Sequence, residues 1–133
     1  MLPEATILER TRTVFPELEM AELSMTPIGE GGSDRVYWRL KADNPSRTIV
    51  FMEYTDVRPD NALFVPVSHF LEKNGIASPR VFAWIEDQRL VWLEDLGNHE
   101  LWHLRNEPWD ALKPAYETAL TEVSKLHAIR ESE

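Results

Sequence analysis

The stretch Pro27–Leu40, PIGEGGSDRVYWRL, places Gly29, Gly31 and Gly32 within four positions and follows them with a polar step and an alternating aromatic run. Two readings of the loop are open. Glycine lets backbone N–H groups approach phosphate oxygens with no side chain in the way. The same residues also make an ordinary hairpin turn that needs positive φ. Ser33 shares the ambiguity, since its hydroxyl can donate to a phosphate oxygen or close a local turn.

The flanks supply the context. Leu23–Ile28 reads as a strand before the loop and Val36–Ala42 as a strand after it. Asp43-Asn44-Pro45-Ser46 is a turn signal, and TIVFMEY, Thr48–Tyr54, is a β-branched and aromatic third strand. DVRPDN is a loop, with Asn61 expected to cap the next helix. That helix sets Leu63, Val67, Phe70 and Leu71 on one face and stops at Gly75. Arg80–Ile85 and Arg89–Leu93 read as two more strands, joined by a turn at Glu86-Asp87-Gln88.

Outside this block, residues 3–14 read as a helix with Leu2, Ile7, Leu8 and Val14 as a partial apolar stripe, ended by Phe15-Pro16. A last helix is expected over Trp109–Ile129, with Leu112, Tyr116, Leu120, Val123 and Leu126/His127 on one stripe. Pro114 is awkward there and is read as marking the helix start. The order predicts a single α+β domain: a five-stranded antiparallel sheet, a helix packed after strand 3, and a long C-terminal helix. Its parts are an N-terminal helix over 1–20, the sheet and its helix over 21–97, and a last segment over 98–133.

Composition narrows the function. The chain has 133 residues, 43% of them hydrophobic, enough for one core. Its 14 basic and 23 acidic residues give a net charge of −9, which repels phosphate backbones and anionic lipid. Nucleic-acid and membrane partners are therefore not expected. A small anion remains admissible beside a local cation. With no cysteine, thiolate nucleophiles, thiolate zinc sites and disulfides are excluded. No signal peptide or membrane span is read, and a cytoplasmic location is expected.

Several motifs now stand in order: the glycine loop between two strands, FLEKNGIASPRV (Phe70–Val81), WLEDLG (Trp92–Gly97), and the Leu126-His127 pair. Over residues 20–130 the chain resembles the N-terminal lobe of the aminoglycoside phosphotransferase family, of protein-kinase-like fold. It is most similar to bacterial predicted phosphotransferases that act on sugars and amino sugars. The resemblance implies an ATP site, with the phosphates under the glycine loop and the adenine against the hinge. Its implied nucleotide-binding residues are Gly29, Gly31, Gly32, Ser33, Arg35 and Val36, with Trp92, Leu93, Glu94, Asp95 and Leu96 at the hinge. Ile28, Val36 and Val50 are the expected apolar walls.

The sequence departs from that pattern twice. Met52 stands where a kinase carries its strand-3 lysine, and Arg35, in the glycine loop, is the substitute phosphate contact. The catalytic loop and the magnesium ligands of the family would lie beyond Glu133. The chain is therefore expected to bind ATP but to lack catalytic and metal residues of its own, with Mg held through the absent C-terminal lobe. Its expected partners are a nucleotide and either that lobe or a second copy docked on the last helix. The alternative is a non-catalytic module that dimerises through that helix. Glu72 and His69 are read as surface residues, His127 as structural, and His99 and His103, four apart, as a weak candidate ligand pair. Glu94 and Asp95, adjacent on a strand, point to opposite faces and make a poor chelate. Asp95 is read as a possible turn cap.

Overall fold

The computed structural model describes residues 1–29 and 34–130. Its elements follow the expected order: α1 (Glu4–Val14), β1 (Glu22–Ile28), β2 (Arg35–Asp43), β3 (Arg47–Tyr54), α2 (Phe64–Lys73), β4 (Val81–Ile85), β5 (Leu90–Glu94) and α3 (Trp109–His127). The strands form one sheet in the order β1-β2-β3-β5-β4, antiparallel throughout.

Strand alternation gives the sheet two apolar faces, each with its own cover. On one face Leu40, Ile49, Phe51, Leu90 and Trp92 meet Ile7 of α1, Phe15 and Leu18. On the other, Met52, Tyr54, Val91 and Leu93 meet Val65 of α2. Met52, which the kinase resemblance sets against a lysine, is fully buried in this second cluster. An uncompensated ammonium there would be costly.

α1 turns Ile7 inward, and Thr11 one turn later follows it. The Thr11 hydroxyl donates to the Ile7 carbonyl at 2.7 Å and accepts from the Trp92 indole N–H at 3.0 Å. Both Thr11 and Trp92 are 0% exposed. This pair satisfies two polar groups that burial would otherwise leave without water.

α2 sits differently from its sequence pattern. Val65 is its buried residue, with Phe64 packed partly against the sheet. Leu63, Val67 and Phe70, expected as the inward stripe, are about half exposed. Asn61 does not cap this helix. It is buried, its amide donating to the Thr55 carbonyl at 2.9 Å. The Leu63 position before the helix carries no side-chain cap.

Gly75 ends α2 as expected, at φ +70°, with Ile76 N–H returning to the Leu71 carbonyl at 2.9 Å. A Cβ there would meet nothing within 4 Å, so a substitution costs backbone conformation alone. Gly75→Ala is expected to destabilise by about 1–2 kcal/mol and Gly75→Asn by less, because asparagine tolerates this region. Urea unfolding checks both.

α3 begins at Trp109, after Pro108, and not at Pro114, which lies inside it. The missing N–H of Pro114 leaves the Asp110 carbonyl without its intrahelical donor, and the helix continues past it. α3 has no buried residue. It is tied to the domain by Glu122, which accepts from Ala77 N–H at 2.7 Å, and by Lys125, which reaches the Gly75 carbonyl at 3.4 Å. Among the described residues no helix is long and apolar enough to cross a membrane.

Candidate functional site

The α2 face of the sheet opens toward the end of β1 and the segment after β5. A cavity of about 290 Å³ lies there, lined by Ile28, Tyr37, Arg39, Val50, Phe64, Pro79 and the run Leu93–Gly97. β1 and β2 supply one wall, through Ile28, Tyr37 and Arg39. The chain leaving β5 supplies the other, along Leu93–Gly97.

Register decides which side chains reach it. Tyr37 pairs with Met52 and Arg39 with Val50, so all four share the α2 face. Val36 pairs with Glu53, whose carboxylate accepts from Leu2 N–H on the α1 side. Val36 is therefore not a wall of the cavity, and Tyr37 takes that place. Ile28 and Val50 line it as expected. The Trp92 side chain turns away for the same reason. It pairs with Phe51, packs tilted against that ring with centroids 5.3 Å apart, and is buried under α1, away from the cavity. Leu93, Glu94, Asp95 and Leu96 do line it.

Asp95 is the most constrained group at this mouth. Arg39 grips it with two bonds, Nε to Oδ2 at 2.7 Å and Nη2 to Oδ1 at 3.0 Å. Arg39 Nη1 also donates to Asn98 Oδ1 at 2.7 Å. Gly97 N–H donates to Asp95 Oδ1 at 2.9 Å, which closes the turn the sequence suggested. The Arg39 hydrogen bonds hold the Asp95 carboxyl below its ordinary range, against the opposing effect of burial, with the Gly97 N–H helping. A planar fork on a carboxylate is a geometrically specific contact. Here it ties β2 to the segment that leaves β5.

Arg35 is not inside the loop. It is the first residue of β2 and pairs with Tyr54, on the same face as Tyr37 and Arg39. Its Nε donates to Asn61 Oδ1 at 2.9 Å, and its guanidinium carbon lies 5.2 Å from the Phe64 ring centre. A second cavity, of about 440 Å³, is lined by Arg35, Asp60, Leu63, Phe64, Val67, Ser68, Leu71, Ser78 and Pro79. It shares Phe64 and Pro79 with the first.

Gly29 lies at φ +68° at the end of β1, a conformation that favours glycine. Gly31, Gly32 and Ser33 lie outside the described residues. Glu72 and His69 are exposed, as expected. His103 is engaged locally, its Nδ1 accepting from Glu100 N–H at 3.1 Å, and among the described residues no group of three or more His, Asp or Glu side chains gathers as a metal site. Sequence reading missed Tyr37, Arg39, Phe64 and Pro79. The only available signal for Tyr37 and Arg39 was their i, i+2 spacing from Arg35. Comparison with protein-family models and with curated proteins gives no match to this chain.

Proposed function

We propose that this chain is the ATP-binding lobe of a small-molecule phosphotransferase of protein-kinase-like fold, whose γ-phosphoryl acceptor is a hydroxyl of a sugar-like substrate. The observation that carries the reading is the cleft between β1–β2 and Leu93–Gly97. Its walls, Ile28, Val50, Phe64 and Leu93, are apolar and suited to a flat base, and the Glu94–Gly97 segment runs along one edge. A magnesium ion would reach the phosphates from groups outside this chain. The chain's own part is to bind and orient the nucleotide.

The test is a titration of ATP into the purified chain, followed by thermal shift and tryptophan fluorescence. At ten times the dissociation constant, binding stabilises by about 1.4 kcal/mol, which for a domain of this size is roughly 3–6 °C in Tm. Valine at Gly31 and Gly32 is expected to abolish the shift, because side chains there would block the approach of backbone N–H groups to phosphate. No shift up to millimolar ATP would sink the reading.

A second reading, a non-catalytic module that dimerises through α3, is favoured by one observation. Tyr116, Leu120, Val123 and Leu126, the expected stripe, are 44%, 62%, 44% and 44% exposed. An apolar row of this kind invites a partner helix. Light scattering that finds only monomer at high concentration would count against it.

A further inference from the structure

We propose that Arg35 is the cation that reads the phosphate chain of the bound nucleotide; this rests on the nucleotide reading of the cleft. β2 presents two arginines to the α2 face, and their surroundings differ. Arg39 is spent on Asp95 and Asn98. Arg35 is held by a neutral amide and an aromatic ring. Among the described residues no carboxylate stands within ion-pair distance of Arg35, whereas Arg39, the other β2 arginine on this face, has Asp95.

The anchoring is suited to reading an anion. Asn61 is buried and fixed by its bond to the Thr55 carbonyl, so its Oδ1 orients Arg35 Nε without neutralising the charge. The Phe64 ring supports the guanidinium, and a cation over an aromatic face is weakly stabilised there. Among the described residues the four terminal N–H groups of Arg35 make no hydrogen bond, and arginine grips a planar or tetrahedral oxyanion with such groups in paired fashion.

The placement agrees. Arg35 lies two residues before Tyr37 at the start of β2, about 7 Å farther along the strand from the base-sized cavity. A base between Val50 and Leu93 would send its ribose past Phe64 and its phosphates toward Arg35. Asp60 lines the same cavity as Arg35 but forms no ion pair with it. Met52, buried among apolar side chains, offers no charge, so the cation comes from the adjacent strand.

The experiment compares adenosine, ADP and ATP, without metal, by calorimetry on the whole chain and on Arg35→Gln and Arg35→Lys. In the unaltered chain affinity should rise from adenosine to ATP. Arg35→Gln should weaken ATP roughly 10- to 100-fold, leave adenosine unchanged, and so erase the gain from the phosphates. Arg35→Lys should keep part of the gain, since it keeps the charge and loses the fork. Far-ultraviolet circular dichroism and the ligand-free Tm check that each variant is folded. If Arg35→Gln binds ATP as tightly as the unaltered chain, Arg35 is not the phosphate reader, while the cleft reading stands. Arg35 is equally ruled out as the reader if both variants weaken adenosine and ATP to the same extent. If the unaltered chain binds neither adenosine nor ATP, the cleft reading fails and the assignment falls with it.

Discussion

Trp92→Ala is expected to destabilise the domain by about 3–5 kcal/mol, a large share of the roughly 5–15 kcal/mol that holds a small domain folded. Trp92 is fully buried between Phe51 and α1, so alanine leaves a large cavity that the sheet cannot close by local movement. It also removes the indole N–H from the Thr11 hydroxyl. Thr11 keeps its own bond to the Ile7 carbonyl, so the hydroxyl is not orphaned, and most of the loss is packing. Thr11→Val separates the two contributions. It preserves the shape, leaves the indole N–H buried without an acceptor, and is expected to cost about 1–3 kcal/mol. The two substitutions in a double-mutant cycle should be non-additive, because the second removes a bond the first has already broken. Urea unfolding of the four proteins measures this. Additive losses would mean that the Thr11–Trp92 bond contributes nothing.

The second large effect is at the mouth of the cleft. Asp95→Asn keeps an oxygen able to accept from Gly97 N–H, yet replaces the carboxylate that Arg39 grips with two bonds. The expected loss is about 1.5–3 kcal/mol, the range for hydrogen bonds to charged groups. If the cleft holds ATP, affinity for it falls as well, because Arg39 and Asp95 both line the cleft. The pH dependence follows from the sign of the shift. The folded Asp95 pKa is lowered, chiefly by Arg39. Its stabilisation is therefore fully present above the ordinary carboxylate pKa of about 3.9 and is lost as pH falls through the lower, folded value. Between neutrality and about pH 5 this group gives no slope. Below that, stability should fall more steeply in the unaltered chain than in Asp95→Asn. Parallel acid limbs in thermal melts from about pH 7 to about pH 3 would refute the assignment.

Much of the architecture was legible because it is written locally. The Asp43–Ser46 turn, the β-branched run of β3 and the stop at Gly75 each follow from the conformations those residues allow. The site was less legible, because it depends on parity. β2 carries apolar or aromatic residues at Val36, Tyr37, Trp38 and Leu40, and β5 is apolar from Leu90 to Leu93. A sheet covered on both sides gives no clean alternation. A one-residue change of face thus moved Val36 and Trp92 out of the cleft and brought Tyr37 in. α2 was misjudged for a related reason: Leu63, Val67 and Phe70 make a regular stripe, yet the sheet took Val65, and Leu63 and Val67 were left to border the cavity beside Arg35.

The sequence by itself determined the α+β order of elements, five strands and their turns, a glycine-rich connection between the first two strands, and the absence of any thiol chemistry. Those properties rest on residues near one another in the chain. Tertiary structure decided which arginine meets a carboxylate and which, among the described residues, meets an amide. Arg39 meets Asp95 across 56 positions and Arg35 meets Asn61 across 26, and neither pairing has a local signature. Which of two like charges finds a carboxylate depends on which strands lie side by side, and that is settled by burying both faces of the sheet.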